Sequence, residues 1–327
     1  MKSNIRMTSK GVVVKLAEMQ VHLDPKSGVR NGLAFVSHAH MDHLHNQDGG
    51  ILLTTKLTSE IAKLRGYYID NFVEEFENFS MIDSGHILGA RGLLFGDDVF
   101  YTGDICTRDR GFLKGSKVPK CKTLITECTF GRPEFVFPKI DEITKKVNAI
   151  ISEMYSKGVP VILHGYELGK AQTLSNLFGH WDPLYYHDSV KRINDLHRNF
   201  DINLKDVMGH TEAEKEGLLE KKPWVMIAPS MSGKSQFVNY MKSKYGAVTI
   251  GFSGWAQSNR YFFAKQHDYS IALSDHCDYN DLIELVKKSN PEKIFTVHGF
   301  VEEFAKDLIN IGYDAQPLRE SPLDDYF

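Results

Sequence analysis

The sequence predicts an α/β protein of two domains, and three observations carry this prediction. At 327 residues the chain exceeds the usual size of a single domain. In its first third, short apolar strands such as Leu33 to Val36 lead directly into polar loops. Beyond residue 140, strand patterns alternate with amphipathic helical patterns, an order that is typical of a parallel sheet covered by helices.

The composition is that of an ordinary globular protein. Hydrophobic residues make up 42% of the chain and charged residues 25%. No apolar stretch reaches the length of a membrane helix, and residues 1–10 lack the apolar core of a signal peptide. The four cysteines form no CxxC pair, which favours reduced thiols. We therefore expect a cytoplasmic protein with no membrane partner.

The elements before residue 70 follow from local patterns. Apolar runs predict three short strands, at Val12 to Val14, Met19 to Leu23 and Leu33 to Val36, with a turn at Asp24-Pro25. Apolar residues at helical spacing between Leu57 and Leu64 predict a helix that Thr54-Thr55 can cap.

The loop that follows Leu33 to Val36 concentrates metal-ligand chemistry. It reads His38-x-His40-x-Asp42-His43, and imidazole nitrogen and carboxylate oxygen are ligands of a borderline metal such as Zn²⁺. His38 and His40 are two residues apart, so their side chains can point to one metal ion. Asp42 and His43 lie past the bend of the loop and can reach a second metal ion. Two ions are therefore expected. A His-rich surface loop without a ligand is the alternative, and four fixed residue types argue against it.

Two more polar residues follow predicted strands. His86 comes after a strand over Phe79 to Ile82, and Asp104 follows a hairpin of Gly92 to Phe95 and Val99 to Thr102. Considered alone, a histidine at the position of His86 more often has a structural role with its hydrogen bonds satisfied, and an aspartate at the position of Asp104 more often forms a turn. After HxHxDH, the metal-binding interpretation is favoured for both, and the two oxygens of Asp104 can bind two cations.

These motifs, in this order, resemble the metal motifs of the metallo-β-lactamase superfamily, whose fold is an αββα sandwich. The resemblance implies one zinc held by His38, His40, His86 and Asp104. It implies a second zinc held by Asp42, His43, Asp104 and a later histidine, His298. Two Zn²⁺ ions are the expected cofactors, although Mn²⁺ or Fe suit the same ligand set.

A second resemblance concerns the middle of the chain. The segment Thr123 to Gly131 is an apolar strand that ends in a carboxylate, Glu127, and it resembles motif A of the β-CASP nucleases. A helix over Asp141 to Lys157, with Ile143, Val147, Ile150 and Met154 on one face, begins a run of helices and strands. The resemblance implies a β-CASP domain over residues 134–270, inserted into a metallo-β-lactamase domain formed by residues 1–133 and 271–327.

The segments around His276 and His298 resemble motifs B and C. By this resemblance Asp42, Glu127 and His276 are catalytic, and His276 paired with Glu127 protonates the leaving oxygen. An alkoxide is a poor leaving group and a histidine is a suitable acid, so the chemistry is consistent with this role. Without the upstream motifs, a structural role for either histidine would be favoured.

The segments Gly251 to Trp255 and Ser274 to Tyr279, with Ile125 to Gly131 before them, carry a narrower resemblance. They resemble the branch of ligase-associated DNA exonucleases, which overlaps with messenger-RNA 3′-end processing factors, and the resemblance covers nearly the full length of the chain. The function expected is a single-strand exonuclease in DNA repair, or alternatively an RNA-processing exo- or endoribonuclease. Single-stranded DNA or RNA is the expected partner, with a DNA ligase or a processing complex as a further one. DNA against RNA, the polarity of digestion and the oligomeric state stay open.

Two other classes of function remain as rivals. A small-molecule metallo-hydrolase would have little use for an inserted domain of this size or for His276 with Glu127. A non-catalytic subunit of a processing complex could lose ligands freely, whereas all the expected ligand positions are filled here.

The candidates for substrate contact are Lys170 and Ser230, at strand-to-helix junctions, and Trp255, which could stack on a base. Residues 108–122 carry six basic residues against one acid, which fits either a phosphate track or a solvated surface. Because the net charge is −3, nucleic acid would need such a local basic surface. Ser232-Gly233-Lys234-Ser235 resembles the end of a P-loop but lacks its first glycine, so an ATPase is not expected.

Overall fold

The structure is a computed structural model that describes residues 4–16, 19–30, 32–258 and 265–320. It divides into two compact units. The first unit comprises Met1–Asp109, Leu113–Phe135 and His276–Phe327, and the second comprises Arg110–Phe112 and Val136–Asp275.

The α-helices of the described residues are, in chain order, α1 (Lys56–Leu64), α2 (Ile140–Ser156), α3 (Lys170–Leu177), α4 (Asp188–Arg198), α5 (His210–Lys215), α6 (Gln236–Tyr245), α7 (Tyr279–Ser289) and α8 (Val301–Asn310). The strands are β1 (Asn4–Thr8), β2 (Gly11–Leu16), β3 (Met19–Leu23), β4 (Leu33–Phe35), β5 (Ile51–Leu53), β6 (Phe72–Val73), β7 (Phe79–Asp83), β8 (Arg91–Phe95), β9 (Val99–Tyr101), β10 (Thr123–Cys128), β11 (Val161–Gly165), β12 (Leu184–Tyr186), β13 (Val225–Pro229), β14 (Val248–Phe252), β15 (Tyr269–Ile271), β16 (Lys293–Gly299) and β17 (Ala315–Pro317). None of these helices is both long and apolar enough to cross a membrane.

The first unit contains two six-stranded sheets, ordered β1-β2-β3-β4-β5-β6 and β17-β16-β10-β9-β8-β7. Successive side chains of a strand face opposite sides of its sheet. In β10, Ile125 packs into an apolar core with Val14 and Phe35 of the other sheet. Its neighbour Leu124 packs instead with Leu282 of α7 and Phe304 of α8. The two sheets therefore lie face to face, with α7 and α8 on an outer surface.

Strand direction gathers the polar motifs at strand ends. β3 and β4 are parallel, with Leu23 opposite Phe35, so the residues that follow both strands emerge at one edge. In the other sheet β9, β10 and β16 are parallel, with Ile125 opposite both Tyr101 and Phe295. The segments that carry Asp104, Glu127 and His298 therefore lie at neighbouring carboxyl ends.

The second unit is built on a five-stranded parallel sheet ordered β12-β13-β11-β14-β15. One face packs against α2, through Val147 and Ile151, and the other packs against α6. Ile151 is fully buried on this α2 face, as is Val147, whereas the predicted Ile150 is only partly buried. The spacings 147, 150, 154 and 147, 151, 154 are both helical, so local pattern alone did not separate them.

The predicted α/β class, with its two stacked sheets and its parallel sheet, is confirmed. The domain boundaries at residues 134 and 270 stay a prediction. All four cysteines are buried thiols that form no disulfide, as the sequence indicates.

Candidate active site

Four predicted ligands of the first metal converge in the first unit. His40 Nδ1 lies 3.0 Å from His38 Nε2 and 3.0 Å from His86 Nε2. Asp104 Oδ2 lies 3.5 Å from each of these Nε2 atoms. One donor atom from each of the four residues lies within 4.8 Å of all the others.

This geometry fits a zinc ion. Zn²⁺ is held by histidine nitrogen and carboxylate oxygen at about 2.0–2.2 Å, which sets neighbouring atoms of a tetrahedral site roughly 3.4 Å apart. The observed separations of 3.0 and 3.5 Å bracket that spacing. Burial and the neighbouring imidazoles hold the pKa of His38 well below its ordinary value, so its ring is neutral, as a ligand must be.

A buried carboxylate, Asp24, orients two of the histidines. It accepts hydrogen bonds from Ser37 N and Ser37 Oγ at 2.6 Å, from Tyr101 at 2.8 Å and from His43 Nδ1 at 2.9 Å. Since the Ser37 hydroxyl proton goes to Asp24, Ser37 Oγ accepts the Nδ1 proton of His38 at 2.9 Å. These Nδ1 hydrogen bonds fix the orientation of both rings and direct their Nε2 atoms at the site.

The sequence predicted only a turn at Asp24. Its partners Ser37 and Tyr101 are 13 and 77 residues away along the chain, so no local pattern reveals this role. The available signal was chemical: ligating histidines generally need a carboxylate or carbonyl on their second nitrogen.

The predicted second ligand set is more open. His43 Nε2 lies 3.5 Å from Asp104 Oδ1 and 3.8 Å from Asp42 Oδ2. The His298 ring centroid is 5.7 Å from that of His43, and the Asp42 side chain is 81% exposed. Asp104 thus presents one oxygen to each set, in the manner of a bridging ligand.

The electrostatic field at this second set favours a cation. Burial lowers the pKa of His43, but Asp104 and Asp24 outweigh burial and raise it to about 10. The same carboxylates would attract a divalent ion. His298 has a φ of +53°, an uncommon conformation for a residue other than glycine and one that often marks functional positions.

Glu127 and His276 form the predicted pair. His276 Nδ1 lies 2.8 Å from Glu127 Oε1, and the His276 ring centroid is 4.5 Å from the His86 ring. Glu127 is buried and also accepts hydrogen bonds from Ile105 N at 3.0 Å and Thr129 N at 3.1 Å. Burial raises the pKa of Glu127, but His276 and these donors outweigh it and hold the pKa below the ordinary value. Glu127 is therefore ionised and fixes the orientation of the His276 ring.

The substrate-contact candidates lie in the second unit and have different surroundings. Lys170, the first residue of α3, is buried, and its Nζ lies 2.7 Å from Asp275 Oδ2. Ser230 follows β13 and is half-buried, six residues before α6 begins. Trp255 lies half-buried in a short 3₁₀-helix, Gly254–Gln257. Their contact with a substrate stays a prediction.

The basic run at residues 108–122 is largely neutralised by carboxylates. The paired residues are Arg108 with Asp281, Arg110 with Asp275, Lys114 with Asp109 and Lys122 with Asp98. Lys117 and Lys120 are exposed. Most of the run is therefore committed to structural ion pairs, which weakens the idea of a continuous phosphate track.

Comparison with known proteins agrees with this geometry. The family model described as "Zn-dependent metallo-hydrolase RNA specificity domain" matches residues 268–315, which include His276 and His298. A protein named probable DNA ligase, from Opitutus terrae, is 30% identical over 309 residues, covering 88% of this chain and 29% of the relative. An RNase J-like protein from Methanocaldococcus jannaschii is 23% identical over 278 residues, covering 71% of this chain and 66% of the relative. This chain thus spans less than two thirds of either relative.

A solved structure shows the same fold over the whole chain. The crystal structure of a protein of unknown function from Enterococcus faecalis superposes with a TM-score of 0.62 and 14% sequence identity, covering 97% of this chain and 96% of that one. The motifs, the four-donor cluster, the matched zinc-dependent domain and these relatives agree. This chain belongs to the β-CASP family of the metallo-β-lactamase superfamily.

Proposed function

We propose that this protein is a metal-dependent nuclease that hydrolyses phosphodiester bonds of nucleic acid, acting as a single-strand exonuclease in DNA repair. The observation that carries the proposal is the Glu127–His276 pair beside the four-donor cluster, with one donor atom each of Asp104, Glu127 and His276 within 4.8 Å of the others. Cleavage of a phosphodiester releases a sugar alkoxide that needs a proton. A histidine held by an ionised carboxylate next to the metal site suits that requirement.

The proposed cofactors are two Zn²⁺ ions, with Mn²⁺ or Fe as alternatives for the same ligands. His38, His40, His86 and Asp104 would hold one ion, and Asp42, His43, Asp104 and His298 the other. When bound, two such metal ions would lower the pKa of a water molecule and stabilise negative charge on the attacking and leaving oxygens.

The chain's own residues supply orientation and the proton. Asp24 and Ser37 fix the orientations of the His43 and His38 rings, so that their Nε2 atoms face the site before any ion arrives. Glu127 accepts the Nδ1 proton of His276, which leaves Nε2 of His276 to carry the proton given to the leaving oxygen.

Two observations bear on DNA against RNA. The relative named probable DNA ligase aligns with 88% of this chain, which supports a DNA substrate and a DNA ligase as partner. The second candidate function is RNA processing, which the RNA specificity domain and the RNase J-like relative support.

The test is a time course on 5′-labelled and 3′-labelled single strands of DNA and RNA, with Zn²⁺ or Mn²⁺ added. The proposal predicts products that shorten from one end of DNA alone. Equal or faster cleavage of RNA would favour RNA processing. No cleavage of either polymer, with turnover of a thioester or lactone, would replace the proposal with a small-molecule hydrolase, and no bound metal would favour a non-catalytic subunit.

A further inference from the structure

The segment that follows Asp104 contacts both members of the Glu127–His276 pair. The N–H of Ile105 donates to Glu127 Oε1 at 3.0 Å, and the carbonyl of Ile105 accepts from Cys277 N at 2.8 Å. One residue therefore joins Glu127 to the backbone directly after His276. Residues 104–108 all lie in the first unit, as do Glu127 and residues 276–281.

Arg108 reinforces this junction from the far end of the segment. Its Nε lies 2.7 Å from Asp281 Oδ2 and its Nη1 lies 3.7 Å from Asp278 Oδ2. Its Nη2 approaches the carbonyl oxygen of His276 at 3.5 Å. A planar guanidinium can reach three such acceptors at once, which an ammonium cannot do.

The two aspartates do not need Arg108 to form their helix. Asp278 is the N-cap of α7, and the two residues make a reciprocal capping box, with Asp281 N donating to Asp278 at 2.9 Å and Asp278 N donating to Asp281 at 3.2 Å. The helix start therefore has its own caps. What Arg108 adds is a connection between α7, the carbonyl of His276 and the segment that begins at the metal ligand Asp104.

We propose that Arg108 is a positioning residue that holds His276 in the place from which it protonates the leaving oxygen. The inference rests on the proposed nuclease function and deepens it. It assigns a purpose to one cation of the 108–122 run other than binding phosphate. A shift of His276 by a fraction of an ångström would weaken proton transfer without removing any metal ligand.

The test compares two phosphodiesters that differ in their leaving group. A single-stranded oligonucleotide releases an alkoxide that needs a proton, whereas the p-nitrophenyl ester of thymidine monophosphate releases p-nitrophenolate, which leaves without one. For Arg108→Gln we expect kcat on the oligonucleotide to fall on the order of 10- to 100-fold. KM, zinc content and turnover of the p-nitrophenyl ester should stay within about twofold of wild type, since neither binding nor metal loading depends on the acid.

Four further variants make the result interpretable. His276→Ala should show the same leaving-group selectivity, and Arg108→Gln combined with it should cost nothing further. Arg108→Lys should recover part of the rate, which keeps the test open if Arg108→Gln does not fold. Arg198→Gln is the matched control, because Arg198 also contacts two aspartates and its side chain is 26% exposed against 27% for Arg108.

The outcomes separate the inference from the function beneath it. A loss confined to the oligonucleotide supports the inference. If His276→Ala loses turnover of the oligonucleotide alone, then equal losses of turnover on both substrates for Arg108→Gln, or no loss on either, would overturn the inference. A wild-type protein that cleaves neither substrate would overturn the proposed function, and this inference with it.

Discussion

At the scale of single residues, the candidate site depends on a carboxylate that lies outside both predicted ligand sets. Asp24 is buried and accepts hydrogen bonds from the Ser37 backbone and hydroxyl, the His43 ring and the Tyr101 hydroxyl. Burial raises its pKa, but His43 and Ser37 lower it further than burial raises it, so the group stays ionised. Asp24 therefore holds the ligand loop in the shape that metal binding requires.

We expect Asp24→Asn to lower zinc affinity by about 10- to 100-fold, because the amide cannot accept all four donors and the ligand rings lose their fixed tautomers. Competition with a chromophoric chelator measures this affinity. Tyr101→Phe, which removes only one of the donors, should have a smaller effect. An Asp24→Asn protein that folds and binds zinc as tightly as wild type would refute the orienting role.

The residues predicted from sequence and those missed differ in how far apart their partners lie. His38, His40, Asp42 and His43 share one short loop, so their common chemistry is visible in the sequence. Asp24 meets Tyr101 across 77 residues, and Lys170 meets Asp275 across 105. From the sequence, Lys170 at the start of a helix was predicted to contact phosphate. In the fold its ammonium group is paired with the carboxylate of Asp275.

At the scale of elements, strands and turns were predictable where the pattern was local. The hairpin of β8 and β9 and the helix α1 capped by Thr55 follow directly from alternation, glycine and a capping threonine. The buried face of α2 was predicted only approximately, because neighbouring isoleucines satisfy the helical period equally well. Tertiary packing then selects Ile151.

This choice can be measured by unfolding. We expect Ile151→Ala to lower the free energy of unfolding by roughly 2–5 kcal/mol, since a fully buried side chain leaves a cavity. Ile150→Ala, at a partly buried position of the same helix, should cost less than half as much. Tryptophan fluorescence in urea follows the transition, because Trp181, Trp224 and Trp255 all lie in the second unit. Equal losses for the two variants would contradict the observed packing.

At the scale of the whole molecule, buried histidines make stability depend on pH. His164 and His197 are buried, and each donates its Nδ1–H to a backbone carbonyl, at 2.9 Å to Pro229 O and at 2.8 Å to Ile193 O. Burial lowers the pKa of His164 to about 3 and of His197 to about 4. In the unfolded chain each ordinarily titrates near 6.5.

Below pH 6.5 the unfolded chain therefore binds protons that the folded second unit excludes. The stabilisation is present above that pH and is lost as the pH falls toward 4. Between pH 6.5 and 5 we expect the free energy of unfolding to fall by roughly 3 kcal/mol from these two groups. His197→Gln should reduce the slope in urea titrations of tryptophan fluorescence, and an unchanged slope would show that His197 titrates alike in both states.

At the same scale, the first unit is a layered sandwich of two sheets with the candidate ligands at its strand ends, and the second unit is a parallel sheet covered by helices. The sequence predicted both architectures because each has its own pattern, namely short strands ending in ligands and strands alternating with helices. The domain boundaries stay predictions, because local hydrophobic patterns do not show where the chain passes from one unit to the other.

The most direct test of the central claim is a metal titration of chelator-stripped protein, with cleavage of labelled single-stranded DNA and RNA measured at each metal content. We expect no cleavage without metal, and activity that rises as Zn²⁺ or Mn²⁺ is added until two equivalents are bound. We also expect Asp42→Asn to lose activity on the order of 100-fold or more while still folding. Full nuclease activity in the stripped protein, or in Asp42→Asn, would contradict the claim that these ligands form the active site.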